Sequence, residues 1–163
     1  MTYGIRDVDG RLAELCDECG FDGREAMDLR GRLTAGYAAL ADLARHADAD
    51  VRPEAQTWSA VEYADHIVEV TVANIDGCRD TLGLPPVPVA VTLGQAAETA
   101  VSFVSALTVD QLGTVTDFWP FPATVDAVCQ HLLHDLEHHV LDVRRGLAVI
   151  GLADGTEVVT TRR

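Results

Sequence analysis

Residues 124–150, TVDAVCQHLLHDLEHHVLDVRRGLAVI, constrain this chain more than any other stretch. Leu133, Leu136, Val140, Val143 and Leu147 recur at helical spacing, which predicts one long helix with an apolar stripe. Thr124 stands where it can cap the start, Arg144 and Arg145 fall in the later turns, and Gly151 reads as the stop. A stripe of that length needs partner helices of comparable length to cover it.

The rest of the 163-residue chain offers three. From about Asp28, the spacing of Leu29, Leu33, Tyr37, Leu40 and Leu43 predicts a first helix. In TWSAVEYADHI, Ser59 and Glu62 form the S-x-x-E capping box, and Trp58 and Tyr63 occupy the two staple positions. A second helix is expected from about Ala60 to Asp76. The three prolines of GLPPVPVAV exclude a helix there and predict an extended crossover. Thr92 and Gln95 repeat the box and open a third helix to about Leu107, and DFWPFPAT reads as a loop. Four amphipathic helices with one Pro-containing crossover predict an all-α four-helix bundle forming a single domain over 1–163. Residues 1–27 read as an irregular arm around CDECGFDG, and 151–163 as a loose tail or a short extended addition.

The net charge of −14 repels polyanions, which argues against nucleic acid and anionic membrane surfaces as partners. No apolar run reaches the roughly 18 residues of a membrane span, and the first residues show no signal-peptide core. The expectation is a soluble cytoplasmic protein whose cysteines are thiols or ligands rather than disulfides. All 12 basic residues are arginine, so Schiff-base and P-loop chemistry are excluded, and no G-x-S-x-G elbow is present.

Four of the six histidines fall within residues 131–140. On a helix, His131, His134 and His138 lie within roughly 60° of one another, while Asp135 and His139 form a separate i, i+4 pair on the flank. The His134/His138 spacing lets two imidazoles converge on one cation, and a third ligand must come from elsewhere. Spacing leaves two readings: solvated imidazoles, or a three-histidine site completed by His66 or His46. His66, among Val61, Tyr63, Ile67 and Val70, has the more buried setting. Asp65, Glu69, Asp135 and His131 are candidate partners around such a site, with His139 and Glu62 nearby. Cys16 and Cys19 form a C-x-x-C, half of a zinc knuckle, which a second chain or His46 would have to complete; a redox pair lacks a thioredoxin-like context, and the expectation is a structural turn, metal-assisted or not. Cys129 projects onto the apolar stripe as a buried thiol.

TWSAVEYADHI, followed by LLHDLEHHVLDVRRG and preceded by CDECGFD, resembles the DinB superfamily of four-helix metalloproteins, which includes mycothiol-dependent maleylpyruvate isomerase-like proteins. The high-GC Gram-positive branch is the most similar, and the likeness extends from Cys16 to about Gly146. The resemblance implies a DinB-type bundle holding zinc or nickel through His66, His134 and His138. It further implies a thiol-dependent S-transferase or isomerase acting on a small molecule with mycothiol, bacillithiol or glutathione, and leaves a homodimer open. A metal-dependent hydrolase and a non-catalytic metal-binding or sensor module are the alternatives.

Overall fold

The structure, a computed structural model, describes residues 3–156. Its long helices are α1 (Leu29–Leu43), α2 (Ala60–Thr81), α3 (Leu93–Ala106) and α5 (Val125–Thr156), with a single-turn α4 (Val109–Leu112) between the last two. The starts are those the sequence marks. Asp28 accepts from the Gly31 N–H, Thr92 from the Gln95 N–H, and Ser59 and Glu62 make the reciprocal bonds of the capping box. Trp58 and Tyr63 stack edge-on with ring centres 5.4 Å apart.

α1 and α2 each pack against both α3 and α5 and touch one another only sparingly, so the two helices consecutive in the chain lie across the core. Leu33 and Leu40 of α1, Ile67 and Ile75 of α2, and Leu132, Leu133 and Leu136 of α5 are fully buried there. Val140 and Val143 continue the buried stripe of α5. Removing these side chains from water is the main driving force holding the four helices together.

The expected irregular arm is instead a β-hairpin, β1 (Tyr3–Val8) with β2 (Arg11–Cys16), followed by a 3-10 turn at Gly23–Glu25. Its two-residue turn is Asp9–Gly10, with φ of +55° and +82°. Asp-Gly tolerates that left-handed pair, and the Gly10 N–H donates to Asp7 Oδ1 at 2.8 Å. The all-α expectation is corrected accordingly: the described residues are mostly helical but carry two small sheets. The second is the two-residue ladder of β3 (Val115–Thr116) and β4 (Ala123–Thr124), which pins the ends of the DFWPFP loop.

Two helix ends also differ. α2 continues past Asp76 to Thr81, and the chain turns only at Gly83, whose φ is +64°. α5 runs through Gly151 to Thr156, because Gly151 does not take the left-handed conformation of a helix stop and a helical glycine costs only about 1 kcal/mol. The rest of the expected tail, 157–163, lies outside the described residues. Among the described residues no helix is long and apolar enough to cross a membrane.

Candidate metal centre

The hairpin lies against α5 and brings β2 to the histidines. Arg11 pairs with Asp126 at 3.2 Å, and the Glu14 N–H donates to Gln130 Oε1 at 3.2 Å. The Glu14 side chain is completely buried, with Oε1 2.9 Å from His134 Nδ1 and Oε2 3.3 Å from His131 Nδ1. Burial raises the Glu14 carboxyl, but the two imidazoles outweigh it and hold the group below the usual range. Beyond β2 the chain folds back on itself: the Cys16 N–H donates to Phe21 O and the Gly20 N–H to Cys16 O, each at 3.0 Å. Gly20, at φ +76°, takes the left-handed position that this reversal requires.

The reversal sets both thiols over α5. Cys16, Cys19, His134 and His138 offer four ligand atoms that all lie within 4.8 Å of one another. Cys16 Sγ is 3.8 Å from His138 Nδ1, and the Phe21 ring sits against His134 with centres 5.2 Å apart. Burial raises the Cys16 thiol, yet the N–H groups of Cys19 and Glu18 and the side chains of Cys19 and His134 bring it down to about 7. Burial and the adjacent Cys16 push Cys19 up to about 11.

A second group gathers on the side of α5 that faces α2. His66, Asp135 and His139 also offer ligand atoms within 4.8 Å of one another. The two oxygens of Asp135 are divided between the imidazoles: Oδ2 is 3.7 Å from His66 Nε2 and Oδ1 is 3.4 Å from His139 Nε2. The other nitrogen of His139, Nδ1, is 3.1 Å from Asp142 Oδ2. Burial lowers the His139 pKa despite both carboxylates, which favours the neutral imidazole that ligates metals. All three side chains are partly exposed, and aromatic rings wall them: Trp58 lies 5.0 Å from His66 and Tyr63 4.8 Å from His139, centre to centre.

Comparison with family models, curated proteins and solved structures finds no match for this chain. The molecule's own geometry therefore carries the reading, and it contains histidine, cysteine and carboxylate clusters that could hold a metal ion.

The set read from the sequence is divided between these clusters. His134 and His138 stand with Cys16 and Cys19, and His66 stands with Asp135 and His139 rather than with them. Beside the C-x-x-C pair stand His134 and His138 of the same chain, whereas His46 is exposed beside Asp48. Asp65 and Glu69 point to solvent, and Glu62 serves the cap and an ion pair with Arg52. His131 faces Glu14 and packs on Trp119, 4.9 Å between ring centres. Cys78 and Cys129 are buried, with burial raising both thiols.

Glu14, Asp142 and the hairpin's role are what sequence reasoning missed. The signal for the hairpin is the D-G between alternating residues; the C-x2-C and H-x3-H spacings, read separately from sequence, together match a four-ligand zinc site, and nothing local points to Glu14 or Asp142. A cleft of about 670 Å³ between the crossover and α3, lined by Arg79, Val87, Gln95, Glu98 and Phe103, contains none of these residues.

Proposed function

We propose that this chain is a DinB-type four-helix metalloprotein and a divalent-metal-dependent enzyme whose resident ion is held by His66, Asp135 and His139. One observation carries the reading: imidazoles from two helices each aim Nε2 at a separate oxygen of Asp135, at a partly exposed edge. Two imidazoles and a carboxylate form a donor set of catalytic zinc sites, which leave a position for water or substrate. The donors fit such an ion, since Asp142 accepts from His139 Nδ1–H and so orients Nε2 toward the shared centre.

When bound, zinc or nickel there would hold a small thiol as its thiolate, the reactive form, or lower the pKa of water. The chain's own residues supply the rest. Asp135 brings a negative charge that balances part of the ion's, and Trp58 and Tyr63 give an apolar wall against which a small substrate can lie. The function that fits best is S-transfer or isomerisation with mycothiol, bacillithiol or glutathione in the cytoplasm. Lysine is absent and the chain has no serine elbow, which leaves the ion as the strongest activating group. Hydrolysis, with water in the open position, is the second reading, since the same donor set serves hydrolytic zinc.

Tag-free protein should lose about one divalent ion per chain on His66→Ala or on His139→Ala. Elemental analysis includes iron, because two histidines and a carboxylate also suit iron(II). Cobalt-loaded Cys16→Ser/Cys19→Ser protein should develop a sulfur-to-metal charge-transfer band as one of the three thiols is titrated. If no thiol perturbs the cobalt spectrum while water exchange shows an open position, thiol chemistry is abandoned for hydrolysis or simple metal binding.

A further inference from the structure

We propose that Cys16, Cys19, His134 and His138 form a second, closed zinc site, separate from the open triad, whose work is to fasten the N-terminal hairpin to α5. Two thiolates and two imidazoles are a full tetrahedral set for structural zinc, and they leave no position for substrate. The ligand pairs have the spacings of such sites, C-x2-C and H-x3-H, although Cys16 and His138 are 122 positions apart. That separation is the reason each half looks incomplete in sequence.

The geometry is close to a loaded site. Zinc with its usual bond lengths sets sulfur-to-nitrogen edges near 3.5 Å, roughly. Cys16 Sγ and His138 Nδ1 already stand 3.8 Å apart, so that edge needs a contraction of only a few tenths of an ångström, and all four ligand atoms lie within 4.8 Å of one another. The knuckle is preshaped by its backbone, through the Gly20 N–H bonded to Cys16 O and the left-handed Gly20. Behind the imidazoles stand carboxylates: Glu14 Oε1 at 2.9 Å from His134 Nδ1, and Asp142 Oδ2 at 3.6 Å from His138 Nε2. This leaves His138 Nδ1 facing Cys16 Sγ and the buried Nε2 of His134 for an ion, with a carboxylate behind each ring as ligating histidines commonly have. A completely buried carboxylate on a strand also needs a reason, and positioning His134 supplies one. On ligation each thiol gives up its proton to solvent, and the two thiolates balance the ion's charge, so the closed site is neutral and suits burial.

This inference stands whether or not the open triad is catalytic, and the experiment keeps the two apart. In tag-free His66→Ala/His139→Ala protein, about one zinc per chain should remain, and Cys16 and Cys19 should resist alkylation until a strong chelator is added. Loaded with cobalt and no external thiol, the same variant should show thiolate charge transfer and the ligand-field bands of a tetrahedral ion. Adding Cys16→Ser/Cys19→Ser should abolish that zinc and raise amide exchange of the β1–β2 pairs at least tenfold, leaving α2 and α3 unchanged. Should the serine variant fold poorly, His138→Cys, which keeps four ligands, should retain the zinc that His138→Ala loses. Freely alkylated thiols without zinc after reconstitution, a Cys16–Cys19 disulfide, or undiminished zinc in the serine variant would each overturn the proposal.

Discussion

Asp142 lies against both proposed centres. Its Oδ2 is hydrogen-bonded to His139 Nδ1 at 3.1 Å and lies 3.6 Å from His138 Nε2, so one carboxylate's charge acts on a ligand of the open triad and on a ligand of the closed set. Removing its charge while keeping its shape should therefore weaken both ions together. Asp142→Asn is expected to lower metal affinity at each site by about 10- to 100-fold, the usual cost of losing such a partner. Competition with a chromogenic chelator reads the two sites separately when the serine and alanine ligand variants serve as references. A loss confined to one site would show that Asp142 belongs to that site alone. By contrast Glu14 touches only His131 and His134, and its effect should stay with the closed site.

At the scale of elements, the contact between α1 and α5 is close enough to exclude a methyl group. A Cβ at Gly36 would come within 2.7 Å of Leu136 Cδ2, and Leu136 is fully buried and cannot swing aside. Overpacking of this kind costs about 1–3 kcal/mol, while alanine returns up to about 1 kcal/mol of helix propensity. Gly36→Ala should thus destabilise by about 1 kcal/mol in urea unfolding. Leu136→Ala alone should cost roughly 2–5 kcal/mol, and in that background Gly36→Ala should become neutral or stabilising. An unchanged penalty in the double variant would place the strain elsewhere than at this contact. The starts of α1, α2 and α3 are legible from local chemistry, since Asp28, Ser59 and Thr92 act within one turn of themselves. The hairpin was passed over because its Asp-Gly turn lies among acids and glycines that resemble an arm.

For the whole molecule, the lack of lysine makes the alkaline limb of stability unusually simple. Burial pushes the Tyr37 hydroxyl, bonded to Thr71 Oγ1, up to about 12, and pushes the Cys78 thiol to about 12. Both groups are acids held neutral by the fold, with ordinary values of 10.0 and 9.0. Their contribution is therefore complete below about pH 9 and is lost as pH rises toward 12, because the unfolded chain deprotonates first. Tyr37 alone accounts for roughly 2–3 kcal/mol of that decline. Tyr37→Phe should flatten the fall in unfolding free energy between about pH 10 and 12 while leaving the neutral-pH curve parallel. An equally steep fall in the variant would assign it to the thiols.

What local sequence determined here is the four long helices and their starts, because capping, apolar period and proline act over a few residues. It also excluded Schiff-base chemistry on a lysine, since the chain has none. It did not determine which histidines meet. Neighbours on a helix point about 100° apart, so His138 and His139 enter different clusters, and the rotation of α5 against its neighbours decides which enters which. That rotation follows from burying Leu132, Leu133 and Leu136 between α1 and α2, a property of the packed core. Only then does α2 present His66 to Asp135 and His139, leaving His134 and His138 to the two thiols. The second half of the closed set arrives on a hairpin from the far end of the chain, and only the tertiary structure carries that distance.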